Sequence, residues 1–138
     1  MSGFKVALEG YTRYRGREGQ WSFLLHRITG LGTLLFLTIH ILDTATVYFY
    51  PSLYFEAIQI YRTTLFGIAE VFLVFCVFFH GVNGLRLVYF DLFAPRNWEI
   101  SPERQSVWVT LGITMVLWVP AAVFMLRNLL FHNFGIGG

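Results

Sequence analysis

Residues 65–90 read LFGIAEVFLVFCVFFHGVNGLRLVYF, a run whose only formally charged side chains are Glu70 near its start and Arg86 near its end, with His80 between them. At about 1.5 Å of rise per residue, such a run outreaches the roughly 30 Å hydrocarbon core of a bilayer. Backbone in lipid has to satisfy its own hydrogen bonds, so the run predicts a membrane-spanning α-helix. Two further apolar runs flank it, at about 24–50 and 107–126. The chain therefore reads as an all-α integral membrane protein of three spans, a single membrane-anchor domain over 1–138 with a polar N-terminal segment 1–23. Composition agrees, with 56% of the 138 residues hydrophobic, 19% aromatic and 13% charged. That is about half the charge of an average soluble domain. The single Cys excludes an internal disulfide and any Cys-based zinc or iron–sulfur site made by this chain alone. A net charge of +2, not gathered into one helix or tail, offers no surface for nucleic acid.

Pro51 and Ser52 predict a loop after the first span, while Ala94-Pro95-Arg96-Asn97 and Ser101-Pro102-Glu103 punctuate the second connection. Ser101 or Ser106 is the expected cap of the third span, and Pro120 its expected kink. Lys5, Arg13, Arg15, Arg17, Arg27, Arg86, Arg96 and Arg104 fall on one side of the expected topology and only Arg62 and Arg127 on the other. By the positive-inside rule, the N-terminus is then cytoplasmic and the C-terminus outside. Trp21, Trp98, Trp108 and Trp118 lie near span ends, where amphipathic rings favour the interface. The first residues carry Glu9 and Glu18 and no apolar core, so they read as neither a signal nor a transit peptide.

Ionisable residues at membrane depth mark candidate sites. At about 100° per residue, His26, Gly30, Thr33, Leu37 and His40 form one stripe on the first span, and Ala69, Leu73, Cys76, His80 and Gly84 one on the second. Each His shares its face with small residues, which let a helix or a flat ligand approach, and neutral imidazole is a good axial ligand for haem iron. The competing expectation is plain packing, with each His bonded to a neighbouring carbonyl or hydroxyl. His80 lies roughly 16 Å from the Asp91 end of its helix and His40 about 20 Å beyond Arg27, so the two are not expected to serve one iron.

Ser22-Phe23-Leu24-Leu25-His26-Arg27-Ile28-Thr29-Gly30 resembles the S-x-x-H-R-x-[ST]-G signature of the cytochrome b membrane-anchor subunit of succinate dehydrogenase (complex II), C-subunit type. His80-Gly81-Val82-Asn83-Gly84-Leu85-Arg86-Leu87-Val88-Tyr89-Phe90-Asp91 resembles that family's second signature, H-x-x-x-G-[aliphatic]-R-[HF]-[aliphatic]-x-[aromatic]-D. Two departures stand out: Ser22 lies one residue earlier than the family Ser, where this chain has Phe23, and Leu87 takes the [HF] position.

The resemblance implies a haem b- and quinone-binding anchor that passes electrons from an iron–sulfur subunit to membrane quinone, in the prokaryotic cytoplasmic membrane. It is not catalytic alone. The implied partners are a flavoprotein, an iron–sulfur subunit, a second membrane anchor and the lipid bilayer, with a higher oligomer left open. His80 is implied as axial ligand of a haem b shared with the second anchor, and His40 is the candidate ligand of a second haem, with Asp43 and Thr44 beside it. His26, Arg27 and Arg86 are implied at the haem propionates; Arg27, Ser22, Trp21 and Asp91 are implied at the quinone. For Arg86 and Arg27 the alternative is snorkelling to the headgroups, and for Trp21 it is interface anchoring. The rival functions are the anchor of a quinol:fumarate reductase, a free-standing dihaem cytochrome b, and a non-redox membrane scaffold.

Overall fold

The computed structural model describes residues 17–95 and 100–135. Lys5, Arg13, Arg15, Glu9, Arg96, Asn97 and Trp98 lie outside the described residues, as do the side chains of Arg17, Ser101, Pro102 and Glu103. Four helices follow in order: α1 (Arg17–Phe49), α2 (Pro51–Tyr61), α3 (Thr64–Leu92) and α4 (Ile100–Phe134). Three segments are long and apolar enough to cross a membrane, Glu18–Phe49, Thr64–Leu92 and Arg104–Asn133. The chain is thus a three-span helical protein, with α3 packed between α1 and α4. The start of α1, the end of α3 and the start of α4 share what is called here the near end.

The packing is inverted relative to a soluble bundle. Among the described residues, the sealed positions are Val71, Phe79, Phe90, Val107 and Ala122 together with the polar Ser22, Thr29, Asn83, Thr110 and Thr114. Large apolar side chains such as Leu31, Leu35, Leu85 and Val116 face outward, as expected where the surroundings are lipid. Without a hydrophobic drive between helices, close approach depends on small residues. Gly32 lies against the Cys76 thiol and Gly67 against Leu129. Two buried threonine hydroxyls are satisfied on their own helix, Thr29 donating to the Leu25 carbonyl at 2.8 Å and Thr114 to that of Thr110 at 2.8 Å. Trp118 Nε1 donates to the Val71 carbonyl at 3.0 Å, bonding α4 to α3.

The stretch expected as a loop after Tyr50 is instead helix α2. Tyr50 adopts φ −146° and ψ 71°, ending α1, because the residue before a proline is disfavoured in the α region. Pro51 then sits in the first turn of α2, where its missing N–H is harmless. Tyr54, Ala57, Ile58 and Tyr61 are half-buried at i, i+3, i+4, i+7 spacing, while Ser52, Glu56 and Gln59 share an exposed arc. Such an amphipathic helix suits the plane of a membrane interface. Helix α4 begins before the expected start of the third span, at Ile100, so Ser106 is inside α4 and not its cap, and the helix continues through Pro120.

Candidate functional site

At the near half of the bundle, α1 and α3 meet through two copies of one pattern, a His followed four residues later by a Gly. The His80 ring lies on the backbone of Gly30, where a Cβ would stand only 2.8 Å from Cε1 and 3.0 Å from Nδ1. The His26 ring lies beside Gly84, at 3.8 Å by the same measure. The two imidazoles stack with centroids 4.1 Å apart and planes 6° from parallel. His80 Nδ1 is 3.1 Å from the backbone oxygen of His26. A carbonyl only accepts, so Nδ1 carries the proton, and in the neutral ring Nε2 is then the nitrogen with the lone pair. This donor set fits an axial haem ligand, a neutral imidazole whose second nitrogen is held by a carbonyl. The Nδ1 atom of His26 is buried with no hydrogen-bond partner among the described residues.

Next to this seam, toward α4, lies a polar knot. Arg86 donates from one terminal nitrogen to Ser22 Oγ at 2.9 Å and Asn83 Oδ1 at 2.8 Å, and from Nε to Ser106 Oγ at 3.0 Å. Ser22 Oγ donates to Asn83 Oδ1 at 3.0 Å. Ser22 and Asn83 are sealed from solvent, so the knot binds α1, α3 and α4 together inside the bundle. Two expectations change here. Arg86 does not snorkel outward, because its donors find hydroxyl and amide acceptors in the interior. Ser22, displaced by about 100° from the family Ser position, turns toward α3 and α4.

The expected quinone residues are not gathered into one place. Trp21 and Ser22 line a cleft of about 420 Å³ between α1 and α4, together with Leu25, Phe79, Val107 and Trp108. Arg27 lies about 140° around α1 from Ser22; it is exposed, with its guanidinium carbon 5.4 Å from the centroid of the Phe23 ring. Asp91 is exposed in the last turn of α3. At the rim, Arg104 pairs with Glu18 at 3.3 Å.

In the far half, His40 is exposed, and its ring lies 5.6 Å from that of Phe36. Thr44 donates to the His40 backbone carbonyl at 2.6 Å, so it serves the helix and not the ring. Asp43 is half-buried and faces α2. Burial first, and the Asp43 charge second, hold the Tyr61 phenol above its ordinary pKa. His132 lines a second cleft of about 510 Å³ with Tyr61, Arg62, Glu70, Asn128 and Asn133. No cluster of three or more His, Cys, Asp or Glu suited to a metal ion occurs among the described residues. An axial haem ligand needs only one.

Sequence reasoning gave Asn83 no role and took Ser106 only for a cap. Asn83 stands three residues from both His80 and Arg86, within a helical turn of each. That spacing was the available signal; the role of Ser106 depends on how α4 docks.

Three apolar helices with a stacked imidazole pair between two of them define a class, a polytopic helical membrane protein with a polar helix seam. The family described as succinate dehydrogenase/fumarate reductase transmembrane subunit matches residues 9–121. Over 114 residues the chain is 36% identical to the succinate dehydrogenase 2 membrane subunit SdhC of Mycobacterium tuberculosis, covering 81% of this chain and 80% of that protein. It is 32% identical over 109 residues to the succinate dehydrogenase hydrophobic membrane anchor subunit of Halobacterium salinarum, covering 72% and 74% respectively. The chain belongs to the succinate dehydrogenase/fumarate reductase transmembrane-subunit family, and is thus a membrane subunit of an oxidoreductase complex.

Proposed function

We propose that this chain is the haem b- and quinone-binding anchor of a succinate:quinone oxidoreductase, working with a flavoprotein, an iron–sulfur subunit and a second membrane anchor. The observation that carries this is His80, its Nδ1 proton committed to the His26 carbonyl and its ring seated on the backbone of Gly30, so that Nε2 is the nitrogen available to a metal. When bound, haem b supplies a one-electron carrier within the membrane. His80 would hold it from this chain, with a further ligand supplied by the second anchor. The near end faces the cytoplasm, as the charge asymmetry of the sequence predicts.

Arg27 supplies a cation on the exposed flank of α1, which favours negative charge developing on a quinone oxygen or a propionate there. Asp91, exposed at the same end, is placed to exchange protons with water. The Trp21 side chain walls the cleft above Ser22, and Ser22 itself acts by holding the knot. His40 extends the reading to a second haem. Its exposed imidazole at membrane depth requires cover from a partner, and a ligand role supplies a reason for a costly polar group.

The test is a pyridine haemochrome assay on the complex isolated through a tag on this chain, with protein stoichiometry from the same sample. Haem b at one or two per copy supports the reading, and its absence removes the haem role. Comparing succinate oxidation by quinone with fumarate reduction by quinol then distinguishes the two directions that the family includes.

A further inference from the structure

The geometry points to His26 as the positioning residue of the haem ligand, acting through the face of its ring. This rests on His80 being the ligand. An imidazole turns easily about its outer torsion, which has broad wells. Three contacts remove that freedom from His80. Its Nδ1–H is held by the His26 carbonyl at 3.1 Å. One edge runs along Gly30, where even a methyl group would collide. One face is covered by the His26 ring at 4.1 Å, 6° from parallel.

The His26 ring is itself seated against Gly84, one turn beyond His80, so the paired His and Gly positions form a reciprocal clasp: each ring lies against the glycine that follows the other. The orientation of an axial imidazole is one of the levers by which a protein tunes haem iron. His26 thereby sets the plane of the ligand without touching the metal.

The experiment compares His26→Phe with His26→Leu in the assembled complex, following haem content and the low-spin electron paramagnetic resonance signal. Phe keeps a flat ring and loses both nitrogens, whereas Leu loses the ring. The expected result is a wild-type signal for His26→Phe and a broadened signal for His26→Leu. Both variants unchanged, or both changed alike, would overturn the proposal, the second outcome restoring a polar role. Should His26→Leu fail to assemble, Gly30→Ala supplies the second measurement, because crowding the His80 ring should produce the same broadening; an unchanged signal there counts against the clasp. His80→Ala in parallel isolates the underlying assignment, since haem retained in that variant removes the ligand and not merely its positioning.

Discussion

His26 and His40 lie on one helix, within about 40° of a common stripe by helical arithmetic, yet meet opposite surroundings. His26 is packed ring to ring against α3, while His40 is exposed. The difference follows from where α1 carries its glycines. Gly30 and Gly32 admit His80 and Cys76 of α3; farther along the same stripe come Leu37 and His40, both exposed. A stripe of polar and small residues therefore marks a seam only where a neighbour can approach closely. In the near half the chain completes its own contacts, and in the far half His40 is left exposed.

The variant that strikes hardest at this contrast is His80→Ala, which on the proposed function removes haem b completely, as read by pyridine haemochrome. His40→Ala in the same assay should leave that haem and remove a second; unchanged stoichiometry would make the far half purely structural. Arg27→Ala should lower quinone reductase activity by about 100-fold, the scale of one lost electrostatic contact to developing charge. Succinate oxidation by an artificial acceptor should be spared, and a parallel loss of both would indicate misassembly. Asn83→Leu strips Arg86 and Ser22 of a shared acceptor and should cost about 1–3 kcal/mol, seen as a lower Tm of the solubilised complex. Ser22→Ala should cost less, because Asn83 Oδ1 keeps its bond from Arg86. Glu18→Gln is the smallest test. It breaks a rim pair whose Arg104 side chain is 64% exposed, and exposed pairs contribute about 0–1 kcal/mol. An effect on Tm as large as that of Asn83→Leu would mean that the knot is no more important than the rim.

The three spans and the two histidine motifs were legible as residues, since hydropathy and helical spacing are local properties. Helix α2 was missed because Pro51 and Ser52 read as turn punctuation, although Pro in the first turn is also a helix-start signal. The Ser22 offset was visible, but not its consequence. Where a hydroxyl points after rotation by about 100° depends on which helix lies there, and the structure puts Asn83 and Arg86 of α3 in that direction.

The amino-acid sequence by itself determined that the chain spans a membrane three times and that His26, Arg27, His80 and Arg86 belong to its near half, because the bilayer imposes length and apolarity on every span independently. The tertiary structure alone decided which of those side chains meet. It stacked His26 on His80, drew Arg86 inward to Ser22, Asn83 and Ser106, and left Arg27 and His40 outside. The reason is that each helix settles its own backbone hydrogen bonds in lipid, so the pairing between helices rests on which surfaces fit closely and which side chains bond across them, a property of the helices together.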